Sequence, residues 1–324
     1  MSPKDKILGP SKREYSTSSS NSSNLDGIDN NESIKFDSIN PDFIEWFRGF
    51  VDGEGNFSII RDHNTFAFVF QIKLHIDDIN LLHFIKSNLK MGNVRSYPLY
   101  GVFLISKQRE VQVLIEIFSN HPLNTTKYLN FVAWAKGFNL LQNYKITKDT
   151  KFLDAIANLK AEMNNSRTDF NMPSDYSINI TAFSPLNPFI FIVWKDSRLE
   201  KAKAQWFMGF FEGEGSVFVS RKDYTLSISI GQALIDKYVM LKVAEFLNQL
   251  PGAKSVPFGS GENAVKIYCS EGSLGHARGK IELVISQVNF IKSVMIPFFN
   301  SQPWYGKKYL DFIDFQTIFS ACFF

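Results

Sequence analysis

Two stretches decide how this chain reads: WFRGFVDGEGNF (46–57) and WFMGFFEGEGSVF (206–218). Each is an apolar run with glycines four apart, Gly49 and Gly53 in one and Gly209 and Gly213 in the other, and each ends on a glutamate held between two glycines. Residues i and i+4 share a helix face, so each run predicts a helix with a strip free of side chains, where a second backbone can settle. The simplest arrangement packs the two helices against each other, with Phe50 and Phe210 sealing the flanks; if they run parallel, their C-termini meet at one end. Glu54 and Glu214 then fall at the C-termini, where the helix dipole disfavours a carboxylate by about 0.3–1 kcal/mol. Two such charges at one end, beside the carbonyls of Gly53 and Gly213, invite a divalent cation with hard oxygen ligands. Gly55 and Gly215 are expected to be left-handed caps that turn the chain into a strand.

The repeat extends beyond these helices. After the first come alternating strands around 56–61 and 66–74, and then an amphipathic helix with Ile79, Leu82, Ile85 and Leu89 on one face. Short strands around 93–97 and 101–106, a helix in REVQVLIEIFSN and a last one in KYLNFVAWAKGFNLL complete a unit. The second copy repeats the order with strands at 216–221 and 226–232, a helix bearing Val239, Val243, Phe246, Leu247 and Leu250, and PWYGKKYLDFIDFQTIF as the echo of PLNTTKYLNFVAWAKGF. An internal duplication of an αββαββα unit follows. The expected organisation is a disordered tail over 1–42, a first unit over 43–145, a linker over 146–200 and a second unit over 201–324. Glu54 to Asp78 is 24 residues and Glu214 to Asp236 is 22, but Asp78 to Lys127 is 49 and Asp236 to Lys308 is 72. The second copy thus carries about 23 extra residues, expected near CSEGSLGHARGKIE.

Composition narrows the class. The chain has 324 residues, 44% hydrophobic and 21% charged, which is globular and long enough for two cores. No apolar run approaches the ~18 residues of a membrane span. Thirty-two phenylalanines, with abundant Asn, Ile and Lys, suggest an A/T-rich coding sequence of the organellar kind. Two cysteines make neither a disulfide framework nor a zinc site, and the five histidines lack metal-ligand spacing. Net charge is +3; residues 1–42 hold five basic and seven acidic groups, leaving 30 against 25 and a mild basic excess that permits nucleic-acid binding.

FRGFVDGEG (47–55) and FMGFFEGEG (207–215) resemble the two signature helices of single-chain LAGLIDADG homing endonucleases of the mitochondrial, intron-encoded type. The resemblance covers about residues 43–319 and includes FQIKLHIDD (70–78), ISIGQALID (228–236), LKAEMNNS (159–166), HPLNTTKYLNF (121–131) and PWYGKKYLDF (303–312). It implies an α+β fold of two pseudo-symmetric units, each with a curved antiparallel DNA-binding sheet, joined at a two-helix interface. It also implies a monomer in the mitochondrion that cuts both strands of a DNA target of about 20 base pairs. The metal-binding acids fall on Glu54 and Glu214, with Gly53 and Gly213 beside them and Mg²⁺, or another divalent ion such as Mn²⁺, between. The basic active-site residue falls on Lys127 and Lys308, and the polar residue of the second strand on Gln71, with Ser229 at the matching place. Asp52 and Glu212, at the earlier acidic position, are expected to cap the helix interface and to bind no metal. An intron RNA maturase of the same fold, with or without cleavage, is the alternative, and intron RNA the alternative partner.

Strand alternation assigns the DNA-reading face. Counting from the glutamates puts Asn56, Ser58 and Ile60 outward with Gln71 and Lys73 in copy one, and Ser216, Phe218 and Ser220 outward with Ser229 and Gly231 in copy two. Phe57, Ile59 and Val217 face the core by the same count. Arg61, Arg95, Arg221 and Lys222 are candidates for phosphate contact.

Overall fold

The computed structural model describes residues 38–180, 198–255, 263–272 and 279–323. Most of the expected tail (1–37) and the centre of the CSEGSLGHARGKIE segment (273–278) lie outside the described residues. The first helix, α1 (Pro41–Glu54), starts on Asn40, whose side chain accepts from the Asp42 N–H at 2.9 Å, with Pro41 at the position that has no N–H to lose. Then follow β1 (Gly55–Asp62), β2 (Thr65–His75), α2 (Ile79–Leu89), β3 (Asn93–Ser96), β4 (Tyr100–Ile105), α3 (Gln108–Asn120) and α4 (Lys127–Thr147). The stretch read as a linker contains a helix, α5 (Lys151–Ala161), which packs on α4. The second round runs α6 (Arg198–Glu214), β5 (Gly215–Val219), β6 (Leu226–Ala233), α7 (Lys237–Gln249), β7 (Val265–Ser270) and β8 (Lys280–Ile285). It closes with α8 (Val288–Phe290), a π-turn over Ile291–Met295, α9 (Ile296–Asn300) and α10 (Lys308–Phe323).

Each round builds a four-stranded antiparallel sheet of the same order, β1-β2-β4-β3 and β5-β6-β8-β7. The registers match as well: Gly55 pairs with Ile72 and Asn56 with Gln71, Gly215 with Ile230 and Ser216 with Ser229. One face of the first sheet buries Phe57, Ile59, Phe68, Phe70, Ile72, Phe103 and Ile105 under helices α2, α3 and α4, as period-two alternation requires. The extra length of the second copy is divided between two places. Asp236 to the start of β7 is 29 residues against 15 from Asp78 to β3, and β7 to β8 is 15 between starts against 7 from β3 to β4.

The two glycine helices lie side by side and parallel at the centre. A Cβ on Gly49 would stand 1.9 Å from the Trp206 carbonyl oxygen, and one on Gly209 would stand 1.9 Å from that of Trp46. At the C-terminal end the same test on Gly53 finds the Gly213 Cα at 3.4 Å. Trp46 stacks on Phe50 with ring centroids 5.0 Å apart and Trp206 on Phe210 at 4.9 Å, closing both flanks of the contact. Gly55 corrects one expectation: its φ is −70°, and among the described residues the left-handed glycines are Gly92 and Gly252. The chain enters both strands in extended conformation, so glycine is needed for room. A Cβ would lie 2.5 Å from Val51 Cγ1 at Gly55 and 2.3 Å from Phe211 Cδ2 at Gly215.

Candidate active site

Glu54 and Glu214 are the last residues of α1 and α6, and each folds over the other helix. The Glu214 side chain lies against Gly53, with its Cγ 3.2 Å from a Cβ there, and the Glu54 Cγ stands 3.6 Å from a Cβ on Gly213. Burial pushes both carboxyls above the ordinary range; Lys127 and Lys308 pull them back, and the charge of Glu54 adds to the rise at Glu214. Lys127 and Lys308, the first residues of α4 and α10, bring their ammonium groups to the helix ends. Lys127 donates to the Gly53 oxygen and, at 3.4 Å, to that of Val51. Lys308 donates to the oxygens of Phe211 at 3.2 Å and Gly213 at 3.3 Å, and to that of Gly215. Burial holds both lysines below the ordinary lysine range. The two carbonyls expected to face a cation therefore each hold an ammonium, which offsets the negative ends of both dipoles.

Two residues earlier, Asp52 and Glu212 are buried and each ties three elements together. The Asp52 carboxylate accepts from the N–H groups of Asn124 and Thr125 at 2.9 and 2.8 Å, from the Thr125 hydroxyl at 2.7 Å, and from the indole N–H of Trp206 on the other helix at 2.9 Å. Glu212 accepts from the N–H groups of Tyr305 and Gly306 and from the indole of Trp46 at 3.0 Å. The loop that launches each lysine-bearing helix is thus pinned by the acid of its own unit, and each acid is pinned by the tryptophan of the other. The copies are tuned as pairs. Glutamate, one methylene longer, faces Gly306, where a Cβ would stand 2.7 Å from Glu212 Oε2, and the shorter aspartate faces Thr125.

On the first sheet, Asn56, Ser58, Gln71, Lys73 and Arg95 share the outward face with Ile60, because Asn56 pairs with Gln71 and Lys73 with Val102, which in turn pairs with Arg95. Arg61 has the parity of Phe57 and Ile59; at the strand end its guanidinium lies 5.1 Å from the Phe66 ring centroid and its Nε donates to His63 O at 3.2 Å. On the second sheet, Ser216, Phe218, Ser229 and Gly231 are outward by register, with Ser229 buried in the middle of the sheet. Ser220 is not on that strand. β5 ends at Val219, and Ser220, Arg221 and Lys222 belong to a turn closed by Ser220 N–H to Thr225 O and Tyr224 N–H to Ser220 O, both 2.9 Å.

Gln71 does not line the cleft around Glu54, which is formed by Lys73, Leu74, His75 and Asp78 of the first unit with Lys307 and Lys308 of the second. In the second unit the side chain at the acid is Gln232, hydrogen-bonded to Glu214. Alternation hides it, since Gln232 has the core parity of Ile228 and Ile230, yet it sits where β6 passes the end of α6. Its distance of four from Asp236, like that of Leu74 from Asp78, was the available signal. Lys266, Tyr268, Lys280 and Glu282 also join the outward face of the second sheet through β7 and β8. Those strands lie in the stretch whose spacing departs from the first copy.

Fold and site together define an internally duplicated two-sheet protein with one carboxylate per unit at the C-terminal end of a shared helical seam. The chain belongs to the LAGLIDADG endonuclease family, whose model matches residues 47–138 and 207–319. It is 28% identical over 307 residues to the probable intron-encoded endonuclease 3 of Neurospora crassa, covering 87% of this chain and 50% of that protein. It is 25% identical over 325 residues to the uncharacterized mitochondrial protein RF1 of Saccharomyces cerevisiae, covering 98% and 63%. The chain therefore spans between half and two-thirds of the length of these relatives. Its fold matches the LAGLIDADG meganuclease I-CpaMI bound to uncleaved DNA, with TM-score 0.64, 20% identity and coverage of 88% and 92%. It also matches the LAGLIDADG homing endonuclease I-GzeII in complex with its DNA target, with TM-score 0.61, 24% identity and coverage of 88% and 91%.

Proposed function

We propose that this protein is a site-specific DNA endonuclease that hydrolyses one phosphodiester in each strand of a duplex target, with Glu54 and Glu214 holding the divalent cation that the reaction uses. The observation that carries this reading is the seam itself: two half-buried carboxylates of raised pKa cross over each other's glycine at the parallel ends of helices that lead directly into the two sheets. The donors suit a hard divalent ion, because all are oxygens and the helix-end carbonyls already draw in ammonium groups. Among the described residues no three His, Cys, Asp or Glu side chains gather around one point, so the other ligands of such an ion would be water and phosphate. When bound, Mg²⁺ or Mn²⁺ would neutralise phosphate charge and acidify a water.

The chain's own groups do the rest. Lys127 and Lys308 supply positive charge where the phosphate becomes more negative, and Gln232 orients Glu214 by hydrogen bonding. Asn56, Ser58, Gln71, Lys73 and Arg95, with Ser216, Phe218, Ser229 and Gly231, meet the groove and backbone of the duplex. The mitochondrial name of one relative and the DNA-bound neighbours support action on mitochondrial DNA, and the supply of both glutamates by one chain supports a monomer.

The test is Mg²⁺-dependent cleavage of an intronless mitochondrial DNA library by the purified protein, beside Glu54→Gln and Glu214→Gln. Discrete double-strand cuts are expected from the wild type. Each variant should keep its DNA affinity in metal-free buffer and lose about 10²–10³-fold in cutting, or stop at a nick. No cutting by a folded wild-type chain would reject the nuclease and make intron RNA binding the next measurement.

A further inference from the structure

We propose that Asp236, in the second unit, is a positioning residue for Lys127 in the first, an inference that rests on the nuclease reading for its consequence in catalysis. Asp236 occupies the N-cap of α7, where an aspartate ordinarily accepts from its own helix's free N–H groups. It makes no such bond. Its carboxylate, 6% exposed, turns to the other unit, where Oδ1 accepts from the Thr126 N–H at 2.7 Å and Oδ2 accepts from the Thr126 hydroxyl at 3.3 Å. Thr126 is the residue before Lys127 and the N-cap of α4, and its own side chain caps nothing in α4.

A carboxylate costs free energy to bury, and this one is pushed up to about 6 by burial, so the site is not one a charge would occupy for its own sake. What it achieves is a fixed start for α4, held from outside by a negative group at the positive end of that helix. The lysine stem begins one residue later, and its ammonium must reach the Gly53 oxygen. The reverse tie is different in kind. Lys307, which precedes Lys308, reaches Asp77 at 2.9 Å in an exposed pair, and exposed pairs hold position weakly. The buried tie thus runs from the second unit to the first.

The experiment compares Asp236→Ala with Lys127→Met and Lys308→Met on a duplex target labelled on each strand. It adds peptide mass spectrometry of lysine acetylation by acetic anhydride on the DNA-free protein. Asp236→Ala should spare and lose the same strands as Lys127→Met, slowing the affected cut by roughly 10- to 100-fold, the scale of a reacting group displaced by about 1 Å. Lys127 should acetylate several times faster than in the wild type, with Lys308 unchanged as the internal reference. Asp236→Glu should restore part of both, and Asp77→Ala, which breaks the exposed pair, should leave both cuts within about twofold. Equal slowing of both strands, the pattern of Lys308→Met, or an unchanged Lys127 reactivity would overturn the assignment. Should Asp236→Ala not fold, Asp236→Leu, which keeps the branched shape but offers no acceptor to Thr126, carries the same two readouts. If the wild type cuts no DNA, the nuclease reading fails while the acetylation comparison still decides whether Asp236 holds Lys127.

Discussion

Glu54 and Glu214 hold charges that their surroundings resist. Burial raises both carboxyls, so the folded chain keeps protons on them that the unfolded chain has already released. Stability tied to these groups is complete below the unfolded-state values and declines as pH rises through the raised folded-state ones. Glu214→Gln should accordingly melt above the wild type near pH 8 in metal-free buffer, by about 2–4 °C for each 1 kcal/mol relieved, with the gap closing toward about pH 5. Because a cation competes with those protons, Mg²⁺ should raise the wild-type Tm more at about pH 8 than at about pH 6. It should not move the double variant Glu54→Gln/Glu214→Gln. A wild-type melt indifferent to both metal and pH would remove the pair from cation binding. At this scale the sequence was partly legible. Repetition singled out the glutamates and the family resemblance the lysines, but Gln232 was hidden by its strand parity, and the indole bonds from Trp46 and Trp206 by a separation of more than 150 residues.

At the scale of elements, α1 and α6 have no room between them. The carbonyl of Trp206 occupies the space of a Gly49 side chain, and the fit is with backbone, which cannot swing aside. Gly49→Ala is expected to cost about 3–5 kcal/mol or to prevent folding, at the upper end of single substitutions, and Gly209→Ala to match it. Urea unfolding of both variants checks this, and a loss under about 1 kcal/mol would show that the helices slide apart freely. The spacing of four made this contact readable, because it is a local property of helix geometry. The conformation of Gly55 was not readable in the same way. Glycine after a helix suggests a left-handed cap, whereas this one is extended and kept small by Val51.

Across the whole molecule, the outward faces of the two sheets differ in character. The first presents Lys73 and Arg95, and the second Lys266 and Lys280, with Glu282 paired to Lys280 at 3.2 Å. For a phosphate-contacting lysine, removal weakens binding to all sequences alike and flattens the salt dependence by about one unit of slope. Lys73→Ala should do this in titrations of DNA binding over a range of KCl. An unchanged slope would take Lys73 out of the phosphate contacts, and a change confined to one target sequence would make it a base reader.

By itself the sequence determined the duplication, the paired glycine helices, the placement of one acid at each helix end and the αββαββα order, because all of these follow from periodicity and repetition along the chain. Tertiary structure decided what stands around the acids. The ammonium groups on the helix-end carbonyls, the crossed tryptophans, Gln232 beside Glu214 and the reach of Asp236 to Thr126 join residues distant in sequence, and no periodicity records which of them meet. Burial is the reason they matter, since a charge enclosed at the seam must find its partner wherever the fold has brought one.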